Sequence, residues 1–285
     1  MEQINQAYLT GERALFQKKH ATIINSTFAN GESPLKESSD IKIRNSIFKW
    51  KYPLWYSNTV DVEDTTLLET ARSGIWYTHH IQMKNCSIEA PKTFRRSSDI
   101  TLNHVTMPIA EETLWNCQDI TLNHVQAKGN YFGMNSSNIE IDHFSLSGNY
   151  AFDGAHHIHV KNAKLLSKDA FWNCEHVIVE DSFIIGEYLG WNSKDVTFVN
   201  CTIDSLQGLC YIEDLKLINC KLLNTTQAFE YSTVEADVTT VIDSVMNPYR
   251  ANIQAKDVTE VILDAEDIDP SLTIIHKKEL NEYAV

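Results

Sequence analysis

Residues 167–205 read SKDAFWNCEHVIVEDSFIIGEYLGWNSKDVTFVNCTIDS, and this stretch contains two consecutive copies of one unit. When Val177 is aligned with Val196, Asp181 falls on Asn200. Each copy alternates apolar and polar positions, places Asn or Asp after them, and then returns to an apolar residue. A repeat of about twenty residues is typical of a solenoid, in which each coil buries its apolar face only by stacking on its neighbours.

The same unit recurs along nearly the whole chain. We name the first apolar residue of each copy the anchor, and successive anchors are 19 to 21 residues apart. They are Ala21, Ile41, Val60, Ile81, Ile100, Ile120, Ile139, Ile158, Val177, Val196, Leu215 and Val234. Apolar residues also predominate two and seven positions after the anchor, which predicts two half-buried strands.

A turn-forming column separates these two strands, four positions after the anchor. Its members are Asn25, Asn45, Asp64, Asn85, His104, His124, His143, Asn162, Asp181, Asn200 and Asn219. Asn, Asp and His tolerate the left-handed backbone region better than other non-glycine residues, so the column predicts a tight corner.

A third, mostly apolar column lies six positions before the anchor and predicts a third strand that points into the core. Three short strands per coil, without helical spacing between them, predict an all-β fold: a right-handed, single-stranded parallel β-helix of about twelve coils of 19–21 residues. A leucine-rich repeat would need leucine runs and a helical return, which the sequence lacks. We expect one domain over residues 1–285, with an N-terminal cap at 1–20, coils at 21–247 and a C-terminal cap at 248–285.

Composition excludes several classes of partner. The formal net charge of −14 argues against nucleic acid and anionic membranes, and no apolar run is long enough to span a bilayer. The N-terminus has no basic region followed by an apolar one, so we expect no secretory signal and a cytoplasmic location. The six cysteines recur at repeat positions, and no CxxC pair is present. We therefore expect reduced thiols, no metal site and no cofactor.

An aromatic stripe is the most unusual feature. Five positions before the anchor, on the side predicted to face outward, stand Lys36, Trp55, Trp76, Arg95, Trp115, Met134, Asp153, Trp172, Trp191, Cys210 and Phe229. Aromatic rings suit the apolar faces of sugars, and adjacent amides suit their hydroxyl groups. The candidate substrate-binding residues are Trp55, Trp76, Arg95, Trp115, Asn116, Tyr131, Asn135, Tyr150, Trp172, Asn173, Tyr188, Trp191, Asn192 and Phe229. The alternatives are a subunit or partner interface and simple structural cover.

Three acidic residues are candidate catalytic groups. Asp153 stands within the stripe, and Asp169 and Glu187 would lie about one coil apart if both face outward. Glycoside hydrolysis uses two carboxyl groups about 5 to 9 Å apart, one as acid and one as base or nucleophile. Arg95 is a candidate for binding an anionic sugar. The alternative is that these acids are ordinary solvated surface groups, since the chain has 38 of them.

Histidines form a second group, with His104, His124 and His143 in the corner column of three consecutive coils. Clustered histidines can bind transition metals, but no carboxylate or thiol lies at a fixed ligand spacing from these. We interpret them as replacements for Asn at the corner.

Several strings carry a resemblance to a known family: LTGERALF, GESPLKES, KYPLWYS, SKDAFWNCE, GEYLGWNS and QGLCYIEDL. They resemble an uncharacterised bacterial family, catalogued as domain of unknown function 3737, over essentially the whole chain. The resemblance implies a pectin-lyase-like, right-handed parallel β-helix and no particular activity. The sequence lacks the motifs typical of pectate lyases and polygalacturonases, such as Arg-x-Pro-x-x-Arg, Asn-Thr-Asp and Gly-His-Gly.

Two hypotheses from different classes follow. The first is a carbohydrate-active protein that binds an oligosaccharide along an exposed Trp-lined groove and cleaves it as a hydrolase or lyase, led by Asp153. The second is a non-catalytic scaffold, whose aromatic stripe binds a partner or a second copy of the chain. Fold alone does not decide between them.

Overall fold

The structure is a computed structural model that describes residues 1–278. The chain divides into two compact units, residues 1–148 and residues 149–285, which we describe separately. Each unit is an all-β parallel solenoid. The helical content of the described residues is two short 3-10 turns, Glu69–Ala71 and Pro270–Leu272, and no helix among them is long and apolar enough to cross a membrane.

The strands of the first unit are β1 Glu2–Asn5, β2 Tyr8–Leu9, β3 Lys19–Ile24, β4 Thr27–Phe28, β5 Ser39–Arg44, β6 Ile47–Phe48, β7 Asn58–Glu63, β8 Thr66–Leu67, β9 Ile75–Trp76, β10 His79–Lys84, β11 Ser87–Ile88, β12 Phe94–Arg95, β13 Ser98–Met107, β14 Gln118–Lys128 and β15 Ser137–Ser147.

The strands of the second unit, as far as residue 278, are β16 His156–Leu166, β17 Glu175–Glu180, β18 Phe183–Ile185, β19 Lys194–Val199, β20 Thr202–Asp204, β21 Glu213–Leu223, β22 Thr233–Val238, β23 Val241–Met246, β24 Arg250–Ala255, β25 Asp257–Ile262 and β26 Thr273–Lys277.

The coils number about fifteen, where the sequence predicted about twelve. Anchors pair in register between consecutive coils, as Val177 does with Val196. The additional coils lie at the ends, where the repeat is hard to see. Glu2 occupies the anchor position against Ala21. Beyond Val234 the paired positions are Ala251 and then Thr273, at spacings outside the 19–21 residues seen elsewhere.

These end coils fall in the segments predicted to be caps. Residues 1–20 contain β1 and β2, and residues 248–278 contain β24, β25 and β26. The last part of the predicted C-terminal cap, residues 279–285, lies outside the described residues. The single-domain organisation stays a prediction.

The corner prediction is confirmed along the whole column. Asn25, His124 and Asp181 have φ values of 51°, 52° and 47°, all in the left-handed region. Side-chain amides connect neighbouring corners, since Asn45 Nδ2 donates to Asn25 Oδ1 at 2.7 Å. Such stacked amides satisfy polar groups at a position where the ordinary strand ladder is interrupted.

The inward column six positions before the anchor is also confirmed. Phe94, Phe171 and Leu209 are fully buried. Small polar residues line the buried corners. Their side chains accept hydrogen bonds from the backbone of the preceding coil, as Ser193 Oγ does from the Cys174 amide at 2.9 Å. The six cysteines are buried and unpaired, and burial raises the pKa of the Cys86 thiol to about 11. They are core members, as the repeat indicated.

Two placements in the stripe are wrong. Cys210 and Phe229 are both fully buried, so Phe229 cannot contact a ligand at the surface. The buried corner serine of this coil, Ser232, lies two residues before Val234, whereas Ser193 lies three residues before Val196. The shorter corner moves Phe229 into the inward column.

Candidate functional site

In the first unit, a row of four side chains, which we call the tryptophan row, consists of Trp55, Trp76, Arg95 and Trp115. The indoles of Trp55 and Trp76 stack with centroids 5.3 Å apart and an interplanar angle of 10°. The Arg95 guanidinium lies 5.0 Å from the Trp76 ring centroid and 4.4 Å from that of Trp115. Ring faces in this row are therefore occupied by their neighbours, which leaves mainly ring edges for a ligand.

Most polar atoms of the tryptophan row are also engaged within the unit, and Arg95 Nε is buried without a hydrogen-bond partner among the described residues. The indole N–H groups donate to backbone carbonyls of the following coil: Trp55 to Ser73 at 2.6 Å, Trp76 to Lys92 at 2.8 Å and Trp115 to Tyr131 at 2.6 Å. Arg95 Nη2 donates to Glu112 Oε2 at 2.5 Å. The side chains are half-buried, and these contacts tie each coil to the next.

The other first-unit candidates surround this row. Asn116 and Asn135 are exposed, and both have φ of 52°. The Tyr131 ring meets the Trp115 ring edge-on at a centroid distance of 6.3 Å. Substrate binding by these residues stays a prediction.

In the second unit, the predicted aromatic residues come together. Tyr150 meets Trp172 edge-on at 5.9 Å, Trp172 lies 5.9 Å from Trp191, and Tyr188 lies 5.8 Å from Trp191. The Trp172 indole N–H donates to the Tyr188 carbonyl at 2.6 Å. These residues form one continuous half-buried surface within residues 149–278.

The three acidic candidates have different environments. Asp153 is half-buried, and its Oδ1 accepts a hydrogen bond from Asn173 Nδ2 at 2.8 Å. Glu187 forms an ion pair with Lys168 at 2.8 Å. Asp169 does not meet the condition of facing outward, because this residue is only 3% exposed.

Asp169 is nevertheless one coil from Glu187, since its amide donates to the Glu187 carbonyl at 2.9 Å. Burial raises the pKa of the Asp169 carboxyl, while the Lys168 charge and a hydrogen bond with Tyr150 oppose that shift. A catalytic role for any of these three acids stays a prediction.

One groove in the second unit is not predicted from the sequence. This groove, which we call the tyrosine groove, has a volume of about 580 Å³ and is open to solvent. Its floor is the buried corner column of Cys174, Ser193 and Ile212. One side carries Asn173, Asn192, Tyr211, Tyr231 and Tyr249, and the other carries Glu175, Lys194, Glu213 and Thr233.

The tyrosine rings separate progressively along the groove. Trp191 stacks on Tyr211 at 4.6 Å with an interplanar angle of 16°. The angle rises to 40° between Tyr211 and Tyr231, and to 53° between Tyr231 and Tyr249, with centroids 5.4 Å and 5.3 Å apart. Inclined rings leave wedge-shaped openings between them, so part of each ring face is uncovered. Tyr211 and Tyr249 are 36% and 47% exposed.

Polar groups run parallel to these rings. Asn192 Nδ2 donates to Asn173 Oδ1 at 2.8 Å, which leaves further amide hydrogen-bonding capacity along the groove. On the opposite side Lys194 Nζ contacts Glu213 Oε1 at 2.9 Å. The groove therefore offers amide, carboxylate and hydroxyl groups beside an aromatic surface.

The electrostatic environment of the groove is acidic. The pKa of Tyr231 is raised, chiefly by the charge of Asp267, and further by burial and by Glu230. Burial and the Glu230 charge raise the pKa of Tyr211. The hydrogen bond and charge of Glu213 raise the pKa of Lys194. These shifts all report negative charge around the groove.

One signal in the sequence points to this groove. Tyr211 stands four positions before its anchor, in the column of Asn173 and Asn192. Tyr231 joins the same column only when the shorter corner before Val234 is taken into account. The regular alignment therefore hid the tyrosine row.

The corner histidines stack on one another in the first unit. The ring centroids of His104 and His124 are 4.7 Å apart, and those of His124 and His143 are 4.4 Å apart. His104 Nδ1 is 2.5 Å from Asn103 Oδ1. Within residues 1–278, no group of three or more His, Cys, Asp or Glu side chains is placed to hold a metal ion.

Comparison with protein families gives one match, over residues 2–276. The chain belongs to the family described as protein of unknown function (DUF3737). This agrees with the resemblance carried by the quoted strings. The sequence matches no curated protein.

Solved structures with similar architecture have unrelated activities. The A-module of a mannuronan C-5 epimerase from Azotobacter vinelandii is 10% identical, with a TM-score of 0.31, over 97% of this chain and 91% of that one. A surface adhesin of Streptococcus pneumoniae is 9% identical, with a TM-score of 0.41, over 90% and 82%. A pentapeptide repeat protein of Nostoc, involved in heterocyst differentiation, is 11% identical, with a TM-score of 0.26, over 81% and 90%. Likenesses this distant carry no argument about function.

Proposed function

We propose that the second unit binds an oligosaccharide in the tyrosine groove. The observation that carries this proposal is the row of inclined rings of Tyr211, Tyr231 and Tyr249 facing a row of polar side chains. Sugar rings present apolar faces and hydroxyl edges, and this groove has partners for both. Its volume of about 580 Å³ lies within the range of about 300 to 1,000 Å³ usual for ligand sites.

The groove is built on rigid elements, which favours a binding role. Its floor is buried core, and its polar side lies on the first residues of β17, β19, β21 and β22. Side chains held by a stacked parallel sheet need little reordering when a ligand binds, which lowers the entropic cost of association.

A second part of this proposal is that the bound oligosaccharide is cleaved, with Asp153 as the leading catalytic residue. The support for this prediction is the hydrogen bond between Asp153 and Asn173, a residue that lines the tyrosine groove. An Asp153→Asn variant that binds normally but loses turnover would support catalysis. The affinity of this variant must be measured together with its turnover, since Asp153 also holds the groove residue Asn173 in position by a hydrogen bond.

The scaffold alternative has less support from these contacts. The tryptophans that were expected to form an interface are half-buried, and the indole N–H groups of Trp55, Trp76, Trp115 and Trp172 bond within their own units. An interface of ordinary size buries about 1,600 Å² in total and relies on accessible aromatic anchors.

The test is calorimetric titration of the full chain with neutral, amino and acidic hexasaccharides. We expect saturable binding of at least one, and a loss of affinity of tenfold or more in Tyr231→Ala, because an aromatic platform contributes about 1–3 kcal/mol. The matched control is Tyr56→Ala, since Tyr56 has the same left-handed φ (56° against 50°) but lies in the first unit. The proposal is wrong if no hexasaccharide binds, or if both variants bind like the parent.

A further inference from the structure

We infer that the tyrosine groove selects oligosaccharides without acidic groups and prefers amino sugars, with the Glu175 carboxylate receiving the ammonium group of the sugar. This inference rests on the proposed carbohydrate binding and names its ligand class.

The first argument is the charge balance of the lining. Among the groove-lining residues, two are acidic, Glu175 and Glu213, and one is basic, Lys194. The Lys194 ammonium is already committed to Glu213 at 2.9 Å. An incoming carboxylate would have to displace Glu213 to use this cation, and exposed ion pairs contribute too little to offset the repulsion from Glu175.

Glu175 is the group left available. It is the first residue of β17, its side chain is exposed, and its backbone pairs with Lys194 of the next coil. Within residues 1–278, its carboxylate has no hydrogen bond or ion pair, and its charge acts on the neighbouring Lys194. Neighbouring coils are about 4.8 Å apart, so a ligand amine at Glu175 would lie beside the Lys194–Glu213 pair without breaking it.

Further carboxylates surround the tyrosine side of the groove. The charges of Asp267 and Glu230 act on the Tyr231 hydroxyl and raise its pKa. These charges extend the negative potential along the groove. Such a potential repels uronic acids and sulfated sugars, and it attracts protonated amino sugars.

A further cation lies next to the last polar residue of the groove. Arg250 pairs in register with Thr233 and lines an adjoining small depression that also contains the acidic residues Asp214 and Glu235. Two carboxylates therefore share the surroundings of this charge.

The experiment compares three hexasaccharides: glucosamine hexamer, N-acetylglucosamine hexamer and galacturonate hexamer. The first two have the same backbone and differ in charge, which isolates the effect of the ammonium groups. Titrations are made at low salt, at a pH where the amino groups are protonated. The proteins are the parent, Glu175→Gln and the control Glu260→Gln, an exposed carboxylate on β25 outside the groove.

We expect the glucosamine hexamer to bind most tightly and the galacturonate hexamer most weakly. Glu175→Gln should reduce affinity for the glucosamine hexamer about fivefold and leave the N-acetylated hexamer within about twofold, whereas Glu260→Gln should change neither. Raising the salt concentration should weaken binding of the glucosamine hexamer only.

Two results would overturn the inference while leaving carbohydrate binding intact. One is tighter binding of the galacturonate hexamer than of the glucosamine hexamer. The other is equal loss of both glucosamine and N-acetylated hexamers in Glu175→Gln, which would make Glu175 a neutral structural contact. If none of the three hexamers binds, both the inference and the proposed function fail.

Discussion

Aromatic side chains at the same coil position behave differently in the two units. In the first unit, Tyr56 and Tyr77 stack with centroids 4.8 Å apart and an interplanar angle of 3°. Lys36 lies 5.5 Å from the Tyr56 ring centroid and Arg96 lies 5.8 Å from that of Tyr77. In the second unit the angle between successive tyrosine rings reaches 53°. In the first arrangement the ring faces are covered by neighbouring side chains, and in the second part of each ring face is accessible to a ligand.

The position of each ring relative to its anchor explains the difference. Tyr56 and Tyr77 both stand four positions before their anchors, Val60 and Ile81, so their rings repeat in register along the stack. Tyr211, Tyr231 and Tyr249 follow one another where the corner before Val234 is shorter and where Val234 pairs with Ala251 at a reduced spacing. Rings displaced from register cannot stack flat. An irregularity in a repeat can therefore mark a ligand site, whereas regular aromatic rows more often contribute to packing.

The largest effect on stability should come from the tryptophan row. Trp76→Ala removes a half-buried ring that stacks on Trp55, supports Arg95 and bonds to Lys92. We expect the free energy of unfolding to fall by about 3 kcal/mol, measured by urea denaturation. Ligand affinity of the folded variant should be unchanged. A stable variant with lost affinity would make the tryptophan row the ligand site instead.

A smaller effect should follow from removing the cation within that row. Arg95→Met keeps an apolar stem but loses two cation–π contacts and leaves Glu112 without this partner, which we expect to cost about 1–2 kcal/mol. Arg96→Met is the control, because Arg96 is exposed and lies 5.8 Å from one ring only. It should change stability by less than about 0.5 kcal/mol. Equal effects in the two variants would show that Arg95 is not a packing element.

The smallest effect concerns the buried acid of the second unit. Because burial raises the pKa of Asp169 above its unfolded value, the folded state holds this proton more tightly. Stability linked to this group is therefore greatest below the unfolded pKa and is lost as pH rises through the folded pKa. Asp169→Asn should raise the melting temperature at neutral pH, and the gain should vanish in acid. A gain that persists unchanged in acid would contradict this account of Asp169.

Asp257 has a pKa shift in the opposite direction, so its effect on stability should have the opposite pH dependence. A hydrogen bond from Lys277 lowers its pKa, so its contribution is present at neutral pH and is lost as pH falls. Asp257→Asn should lower the melting temperature slightly at neutral pH and not in acid.

The repeat itself could be predicted from sequence because each column has one chemical requirement. Corners need left-handed backbone, which selected Asn, Asp or His at Asn25, His124 and Asp181. The inward column needs apolar residues, and Phe94 and Phe171 met that need. Such local requirements act in every coil, and repetition makes them visible.

The candidate site was harder to predict than the repeat, because it includes coils of irregular length. Aligning the chain by its repeat hides such irregularities. Phe229 was placed outward because a single missing residue before Val234 was not detected. The predicted approach of Asp169 to Glu187 depends on both side chains facing outward, which residue type alone does not decide, and Asp169 is buried. The inclined rings of Tyr231 and Tyr249 belong to the irregular coils, so their angles could not be predicted from residue spacing.

The most direct test of the central claim is hydrogen–deuterium exchange of the full chain with and without saturating glucosamine hexamer. Our account predicts slower exchange around Asn173–Lys194, Tyr211–Glu213 and Tyr231–Thr233 in the second unit, and unchanged exchange around Trp55 and Trp76 in the first. Slower exchange centred on the tryptophan row, or no change anywhere under conditions where the hexamer binds, would contradict it.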